Sequence, residues 1–375
     1  MHRKMSLLLC SCLFCLILVF SPVLAEKTEV SLTDILGREV KVDVPVDNVA
    51  LQWSASGGPF FTLFAIEGKD AASKIAAIDR ENLKENRYDI WEAFSTAVPE
   101  LASLPNIESG KDLNPETLIA LHPSVVVAPK DCYNEGIDIY KKIEDAGIPV
   151  ITIDFHEEKL ENHKKSIELM GQLLGKEEKA AEVFDYYKAQ QEKVTSKLDK
   201  ITTPEPRVYH ENAMDPNEMS TSHSSAYMWG SMLNQMRGDV IADGVIEKTA
   251  VMSEEYLLKS NPEVILFTGS YWANKPDSLR LGFLSDEKTA KETLEPFKHR
   301  EGWENLDAIK NNRVYGANIG IGRDITDFAG FQMAAKALYP DVFSDVDPEA
   351  NLRDFYDKYM PVKLYGKWFV EPSEN

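Results

Sequence analysis

Residues 114–128 read NPETLIALHPSVVVA, and residues 253–267 repeat the pattern as SEEYLLKSNPEVILF. In each copy an acidic start, a proline-marked turn and a short apolar run predict a short helix, a turn and a buried strand. A unit that recurs once, so far along the chain, is too sparse for a solenoid, which needs several close repeats. The repeat therefore predicts two lobes of similar build, with Glu116 and Glu255 at the same place on each surface.

Strand and helix patterns alternate on both sides of the two copies. Outside them, the patterns predict a hairpin at 28–44, strands at 49–53, 74–78, 149–154, 207–210 and 313–317, and helices at 60–66, 136–146, 226–236 and 326–338. Such alternation favours a mostly parallel sheet covered by helices. Residues 79–105 are polar and are predicted to be irregular, and residues 211–229 give no clear pattern.

Residues 157–200 carry no strand pattern and predict helices instead. The apolar spacing suits one amphipathic helix that ends near Gly175, and residues 176–200, which lack glycine and proline, suit a second helix about 37 Å long. The predicted fold is therefore α/β, with two Rossmann-like lobes whose central sheets are mostly parallel, connected by one long helix. The predicted domains are a leader at 1–25, an N-terminal lobe at 26–157, linker helices at 158–200, and a C-terminal lobe with closing helices at 201–375.

The start of the chain predicts a secretory leader that is cleaved after Ala25. A basic start at residues 2–4, an apolar run at 7–20 and small residues before the cut are typical of such leaders. The apolar run is too short for a comfortable membrane span. The mature protein is therefore expected in the periplasm.

Cysteine content and charge exclude several classes of protein. Three of the four cysteines lie in the leader, so Cys132 alone remains and a disulfide framework is excluded. The chain carries a net charge of −20 at pH 7, which becomes more negative when the basic leader is removed. This charge argues against nucleic acid and anionic membrane surfaces as partners.

Several stretches together match a known family. They are the hairpin TDILGREVKV, the block LPNIESGKDLNPETLIALHPSVVVA, the strand AGIPVITID, the uninterrupted linker helix, the second copy of the repeat and the ending AAKALYPDVFSDVD. On these stretches the chain resembles the helical-backbone substrate-binding proteins of bacterial ABC importers for iron–siderophore, haem and cobalamin-type ligands, and the resemblance covers most of the mature chain.

The resemblance implies a function and a partner. It implies a monomeric, non-enzymatic periplasmic protein without a cofactor of its own, which captures a metal chelate between its lobes. The protein would deliver this chelate to the permease dimer of an ABC importer in the inner membrane. An iron–siderophore complex is the expected cargo, and haem, a corrinoid or a nickel chelate are the alternatives.

The resemblance also assigns a role to the repeated glutamates. In this family each lobe presents one glutamate that docks into arginines of the permease dimer, and the matching positions are Glu116 and Glu255. Each is the second residue of its predicted helix, after the N-cap candidates Asn114 and Ser253. Plain capping is the alternative, because acids near a helix start favour the macrodipole by about 0.3–1 kcal/mol and duplication could supply the shared register. Glu254 beside Glu255 leaves the second position open to either residue.

A second set of residues is predicted to bind the cargo. In open α/β sheets ligands bind beyond the carboxyl ends of the strands, so polar and aromatic residues near these ends are the candidates. They are Trp53, Ser54, Lys130, Tyr133, His156, His210, Tyr227, Trp229, Tyr271, Trp272 and Arg323. Aromatic faces with a few cations suit a flat, partly apolar anion such as a ferric chelate, and arginine is the better cation for planar carboxylates or catecholates.

Some of these side chains have a structural interpretation as well. Trp53 closes an apolar strand and could belong to the core. Arg323 could pair with Asp324 or Asp327. Ligand binding and structure therefore remain alternatives at both positions.

The histidines do not form a recognisable metal motif. His156, His210 and His223 lack the close spacing of such motifs, so no metal site made by the protein alone is predicted. A histidine such as His210 or a tyrosine could still be an axial ligand to haem. His163 and His299 are expected to be solvated.

A chelatase-like enzyme is the rival class, because the two-lobed architecture also resembles metal chelatases. The sequence shows no G-x-S-x-G elbow, no phosphate-cradling glycine loop and no H-E-x-x-H pair. The sequence therefore favours a binding protein over an enzyme.

Overall fold

The computed structural model describes residues 27–372, so the predicted leader and its cleavage site lie outside the described residues. In chain order the first part contains β1 (Thr28–Thr33), β2 (Glu39–Val44), β3 (Val49–Leu51), α1 (Pro59–Glu67), β4 (Ile75–Ile78), α2 (Arg80–Asn86), α3 (Tyr88–Ala97), α4 (Pro115–Ala120), β5 (Val125–Pro129), α5 (Lys130–Glu135), α6 (Ile137–Asp145), β6 (Val150–Ile153), α7 (Leu160–Leu174) and α8 (Glu177–Thr195). The second part contains β7 (Arg207–Asn212), β8 (Thr221–His223), α9 (Met228–Gln235), β9 (Asp239–Val240), β10 (Thr249–Val251), α10 (Glu254–Ser260), β11 (Val264–Gly269), α11 (Glu287–Lys298), α12 (Asp307–Lys310), β12 (Val314–Asn318), α13 (Asp327–Leu338), α14 (Pro348–Tyr359) and β13 (Phe369–Val370).

Two parallel sheets form the centres of two α/β lobes. The first has the strand order β4-β3-β5-β6 with every pair parallel, and the second has the order β13-β12-β11-β7-β9 with only β13 antiparallel. Strands β5 and β11 are buried along their whole length. This is expected of parallel strands that are covered on both faces. The predicted fold class is confirmed.

The repeated pattern forms the same unit in each lobe. The Asn114 side chain caps α4 by accepting a hydrogen bond of 3.1 Å from the Thr117 N–H, and Ser253 caps α10 by accepting one of 3.2 Å from the Tyr256 N–H. Each unit ends in an inner strand of its sheet, since β5 lies between β3 and β6 and β11 lies between β7 and β12. An inner strand has no solvated edge or face, and this explains why both copies end in an uninterrupted apolar run.

The linker contains two antiparallel helices. Gly175 closes α7 in the left-handed conformation at φ 65°, and Gly171 lets the helices approach closely, because a Cβ atom there would lie 2.4 Å from the Ala180 Cβ. Helix α8 has 19 residues and is shorter than predicted, about 28 Å. The Ser196 hydroxyl donates to the Glu192 carbonyl at 2.6 Å, a local bond that competes with the helix and weakens its end. Because α8 contacts both α1 and α13, it joins the two lobes.

Residues 79–105 correct the sequence prediction, because they are helical rather than irregular. Helices α2 and α3 occupy most of the segment, followed by a 3₁₀ turn at Pro99–Ser103. The sequence of α2 hides this, since Leu83 is the one residue of that helix that is buried and no apolar periodicity results. Residues 211–229 contain the end of β7, strand β8 and the start of α9.

The turn between α2 and α3 binds the first lobe to the second. The Tyr88 N–H donates to the Tyr271 carbonyl at 3.2 Å. Arg87 makes an ion pair of 3.0 Å with Asp324, and both side chains are at most 2% exposed. Loss of one partner from a buried pair of this kind costs about 3–5 kcal/mol. The lobes are therefore held together at this turn as well as by α8.

The described residues also bear on membrane association and on the remaining cysteine. Within residues 27–372, no helix combines the length and the apolar character that a membrane span requires. Cys132 is free and buried. Its thiol lies 3.1 Å from the Tyr140 hydroxyl, so it belongs to the core of the first lobe.

Candidate functional site

A cavity of about 380 Å³ lies between loops that follow the strands of both sheets. This volume is within the usual range of about 300–1,000 Å³ for small-molecule sites. Four of the predicted ligand residues line it, namely Trp53, His156, Tyr227 and Arg323. The other walls are Ala55, Ser56, Asn82, Asn86, Asn212, Thr221, His223, Met228 and Thr249.

Trp53 reaches the cavity because the chain turns sharply after β3. Its backbone lies in the left-handed region at φ 49°, a strained conformation for a bulky side chain that is typical of functional sites. In the same turn Gly57 is pressed against Pro129, where a Cβ atom would lie 2.3 Å from the proline ring. The half-buried Trp53 ring has its centroid 5.8 Å from that of His156.

His156 connects the two lobes across the cavity. Its Nε2 lies 3.0 Å from the Ser56 hydroxyl of the first lobe, and its Nδ1 lies 3.1 Å from the Tyr227 hydroxyl of the second. The Asp131 carboxylate lies 3.5 Å from the same Nδ1. This hydrogen-bonding partner is the main reason why the pKa of Asp131 falls to about 2. Asp131 is therefore ionised and fixes the orientation of the imidazole.

Two stacked histidines form the wall contributed by the second lobe. The His223 ring lines the cavity, and the His210 ring lies behind it with a centroid separation of 4.4 Å. Burial lowers the pKa of His210 to about 3 and lowers that of His223 well below its ordinary value. Among the described residues, the Nδ1 atoms of both rings have no hydrogen-bond partner. Both rings are therefore neutral at pH 7, which is the form that ligates metals.

Arg323 brings a positive charge to the cavity without a counter-ion. Within residues 27–372 it makes no ion pair, and its Nε has no hydrogen-bond partner. The structural alternative of a pair with Asp324 is not observed, because Asp324 pairs with Arg87 and accepts a hydrogen bond from Thr326. Burial, reinforced by the nearby Arg87, lowers the pKa of Arg323 to about 10, so the guanidinium stays protonated at pH 7.

Three predicted ligand residues of the first lobe do not line the cavity. The Ser54 N–H donates to the Asp79 carboxylate at 2.7 Å inside the lobe, and the neighbouring Ser56 lines the cavity instead. Lys130 turns back to pair with Asp154 at 3.2 Å and with Glu157. The carboxylates that follow β6 therefore hold its amine away from the cavity.

Tyr133 completes these corrections for the first lobe. Its ring packs against the Arg38 guanidinium at 4.1 Å and stacks on Tyr140. Tyr133 is almost fully buried, so it belongs to the apolar side of α5 rather than to the cavity.

Three predicted ligand residues of the second lobe lie elsewhere as well. Trp229 is fully buried, and its indole N–H donates to the Ile319 carbonyl at 3.1 Å. Trp272 is 7% exposed, and Tyr271 packs beneath Arg280. Tyr271 and Trp272 adjoin the turn between α2 and α3, which covers this strand end and removes it from the cavity.

The asparagines of α2 are the main feature that the sequence interpretation missed. Asn82 and Asn86 face the cavity one helical turn apart, and the Asn86 Nδ2 donates to the Asn82 Oδ1 at 3.1 Å. Their spacing of four residues was a usable signal, but only once the segment was known to be helical.

Two further cavities adjoin the first and have mainly acidic walls. A cavity of about 630 Å³ shares Tyr227 and Thr249 with it, and one of about 420 Å³ shares Trp53 and Asn82. The acidic residues of these outer walls are Asp79, Glu81, Glu85, Glu108, Asp112, Asp131, Glu135 and Glu247. Lys111 and Lys248 also line these outer cavities, but acids outnumber them, so the outer walls are negative on balance.

The repeated glutamates lie away from the cavity, on the outer surface of each lobe. Glu116 and Glu255 are both exposed, and each is the second residue of its helix, as predicted. Neither makes an ion pair with any other described residue. Both carboxylates are therefore available to a partner.

The protein should lose stability as the pH falls below 6.5, because protonation of its buried neutral histidines favours the unfolded chain. An unfolded histidine has a pKa of about 6.5, whereas that of His210 in the folded protein is about 3. The folded pKa is depressed, so this stabilisation is complete above pH 6.5 and is lost as the pH falls towards 3. Between pH 7 and pH 5 it amounts to about 2 kcal/mol of unfolding free energy.

The variant His210→Phe tests this, because it keeps the stacked ring and removes the titratable group. Urea unfolding gives the loss of unfolding free energy between pH 7 and pH 5 for each protein. This loss should be about 2 kcal/mol smaller in His210→Phe than in the wild-type protein. His299→Gln, a substitution of an exposed histidine, should keep the wild-type difference. An unchanged difference in His210→Phe would contradict the buried neutral state.

Sequence and fold comparisons find close matches. The pattern that defines the family described as periplasmic binding protein matches residues 56–318. The crystal structure of the TroA-like periplasmic binding protein FepB from Veillonella parvula is 42% identical, covers 92% of this chain and 99% of its own, and superposes with a TM-score of 0.85.

More distant relatives share the architecture. The molybdate-binding protein MolA of Haemophilus influenzae is 26% identical over 353 residues, which are 88% of this chain and 90% of MolA. A Helicobacter pylori CeuE structure in complex with Ni-His is 17% identical, with a TM-score of 0.66 over 90% of this chain and 97% of its own. At that identity the likeness is one of fold alone.

Proposed function

The chain belongs to the periplasmic binding protein family of ABC importers, and from that premise we propose that it binds an anionic metal chelate between its lobes and delivers it to an ABC permease. Arg323 is the observation that carries this proposal. A protonated guanidinium on the cavity wall, partly withdrawn from water and without a carboxylate partner in residues 27–372, carries an uncompensated charge. An anionic ligand supplies the missing charge.

The donors around Arg323 suit a metal complex with oxygen ligands. Arginine presents a planar fork that matches carboxylate or catecholate oxygens. Asn82, Asn86 and Ser56 add neutral hydrogen-bonding groups to the same cavity. The neutral His223 offers a nitrogen that can occupy an open coordination position of the bound metal. A ferric siderophore is therefore the first candidate for the cargo.

The lining argues against haem as the cargo. A macrocycle needs wide apolar walls, and the aromatic and apolar side chains of this cavity are Trp53, Tyr227, Ala55 and Met228, among mainly polar neighbours. The acidic outer cavities add a second restriction, because they repel negative charge that extends from the centre. The preferred chelate therefore has its negative charge near the metal and neutral or basic arms.

A small oxyanion is the second candidate. The relative MolA is described as a molybdate-binding protein, and an oxyanion would use the same guanidinium, amide and hydroxyl donors. Molybdate therefore belongs in every ligand panel for this protein.

The protein would work outside the inner membrane. We propose that cleavage after Ala25 releases it into the periplasm, where lobes at about 26–157 and 201–375, joined by the linker helices, hold the cargo between them. The permease would then contact Glu116 and Glu255, one from each lobe.

Tryptophan fluorescence tests the cargo class, because Trp53 lines the cavity. The panel contains a ferric hydroxamate, a ferric catecholate, haem, cobalamin, nickel–histidine and molybdate. A ferric chelate is expected to quench the emission at micromolar concentration or below, and its iron-free form is not. In Trp53→Phe the quenching should shrink while calorimetry still detects binding. Tight binding of only haem or cobalamin would contradict the proposed cargo.

A further inference from the structure

Three ionisable side chains converge behind the cavity, at the junction of the two lobes. Glu158 lies between β6 and α7, His163 in the first turn of α7, and Asp327 at the start of α13. Their ligand atoms all lie within 4.8 Å of one another, and His163 Nδ1 is 3.2 Å from Asp327 Oδ2. Each side chain is at most 1% exposed, which corrects the prediction that His163 is solvated.

The two carboxyl groups of this cluster face each other and His163, without a lysine or arginine among the described residues to balance their charge. Among the described residues, none of the four oxygens of Glu158 and Asp327 has a hydrogen-bond partner, and neither does His163 Nε2. Within residues 27–372 no lysine or arginine pairs with either acid, and the nearby charges that act on Glu158 come from Asp154, Asp324 and Asp327. Buried carboxylates in this state cost several kcal/mol each, unless they carry protons or a cation.

We propose that Glu158, His163 and Asp327 bind one divalent metal ion, which is separate from the cargo. Two carboxylates neutralise its charge, so the occupied cluster is neutral and its burial costs little. Two ligands about 2.0–2.1 Å from one ion lie about 3.3 Å apart in tetrahedral geometry, close to the 3.2 Å between His163 and Asp327. Mixed imidazole and carboxylate ligands suit Zn²⁺, Mn²⁺ or Fe²⁺ rather than Ca²⁺ or Mg²⁺.

The surrounding residues hold the three ligands in place. The Phe155 ring stacks on His163 with a centroid separation of 4.9 Å and orients the imidazole. The Tyr187 hydroxyl of α8, which lies 2.8 Å from His163 Nδ1, would release that nitrogen when the ion binds there. Glu158 has its backbone in the left-handed region at φ 53°, where the Gln235 side chain donates to its carbonyl at 2.8 Å. Strained backbone of this kind persists only where the surroundings fix it.

The position of the cluster indicates what the ion does. Glu158 and His163 follow the last strand of the first sheet, and Asp327 follows β12 of the second. None of the three lines the cargo cavity. An ion bound here would connect the start of α7 to the start of α13, and would thereby fix the junction between the lobes while leaving the cavity free.

Metal content of the mature chain tests the site directly. After incubation with Zn²⁺, Mn²⁺ or Fe²⁺ and removal of free ion, elemental analysis should find one equivalent per chain. Stripping with a strong chelator should lower the Tm by about 5 °C or more. Co²⁺ should give a visible absorption band, and the band should disappear in His163→Gln. Arg323→Ala, which alters only the cargo cavity, should keep the ion.

Isosteric variants distinguish the metal site from a pair of carboxyl groups that shares a proton. Glu158→Gln and Asp327→Asn should each lose the ion, and Glu161→Gln, a change of an exposed acid on the same helix, should keep it. The proposal is overturned if the wild-type protein takes up none of these ions. It is equally overturned if the folded Glu158→Gln and Asp327→Asn proteins, checked by circular dichroism, retain their ion.

Discussion

Arg323→Ala is expected to weaken binding of the metal chelate about 100-fold or more, without destabilising the empty protein. Hydrogen bonds to charged groups contribute about 1.5–3 kcal/mol, and a factor of ten in affinity corresponds to about 1.4 kcal/mol. The loss should exceed that of one such bond, because a guanidinium offers two bonds to a planar anion. The empty protein should keep its Tm, since within residues 27–372 the side chain has no ion-pair partner to lose.

Two further variants make this result specific. Arg323→Lys keeps the charge but loses the planar fork, so it should fall between Ala and the wild-type protein in affinity. Arg353→Ala removes an exposed arginine on α14 and should bind the chelate as the wild-type protein does. Calorimetric titration with the best ligand of the fluorescence panel provides the measurement. An unchanged affinity in Arg323→Ala would remove the central support for an anionic cargo.

Reversal of charge at both repeated glutamates is expected to abolish uptake while leaving the affinity for cargo unchanged. Glu116→Lys and Glu255→Lys alter exposed carboxylates outside the cavity, and neither acid has an ion-pair partner among the described residues. A permease that contacts one acid on each lobe with arginines would meet repulsion at both ends. Each single reversal should therefore reduce uptake partially, and the double reversal should stop it.

The capping role of these acids provides the competing explanation. Acids in a first helical turn stabilise the helix by about 0.3–1 kcal/mol, and a lysine there is unfavourable by a similar amount, so the double reversal should lose at most about 4 kcal/mol of unfolding free energy. Asp138→Lys and Glu161→Lys reverse exposed acids in the first turns of α6 and α7 and serve as matched controls. Uptake of labelled cargo by whole cells and calorimetric affinity measure both effects. Normal uptake in the double variant, or a loss of affinity, would contradict docking through these glutamates.

Local patterns predicted the framework of the fold well. The capped helices and inner strands of the repeat, and the hairpin around Gly37, follow from short-range rules, because capping and apolar runs depend on neighbouring residues. The local patterns did not predict helix α2, because its sequence shows no apolar periodicity. The packing of that helix depends on contacts with the other lobe, such as the pair of Arg87 with Asp324, and no local signal reports such contacts.

The site was predicted less completely than the fold. The prediction relied on the rule that ligands bind beyond the carboxyl ends of the strands. The rule identifies which edge of a sheet binds a ligand, and Trp53, His156, Tyr227 and Arg323 do line one cavity. The rule does not determine where each side chain points. Lys130 was therefore wrongly predicted to bind the ligand, because two nearby carboxylates pair with its amine and hold it away from the cavity. The cluster of buried acids at the junction combines residues that are far apart in sequence, and only the folded chain brings them together.

Contacts across the cavity suggest that the lobes move little when the cargo binds. His156 and Tyr227 form one bridge, and Asp131 and Lys248 form a second with a separation of 3.5 Å. The helix α8 and the turn between α2 and α3 add connections on other sides. Closure is therefore expected to involve local side chains more than rotation of whole lobes.

Native mass spectrometry of the protein isolated from its own periplasm tests the central claim most directly, because the bound mass identifies what occupies the cavity. The account predicts one bound species that contains a metal, recognised by its isotope pattern, and that is lost in Arg323→Ala. An ion at the junction would appear separately as the mass of a single metal and would remain in that variant. A bound species without metal, or one that persists in Arg323→Ala, would contradict the account.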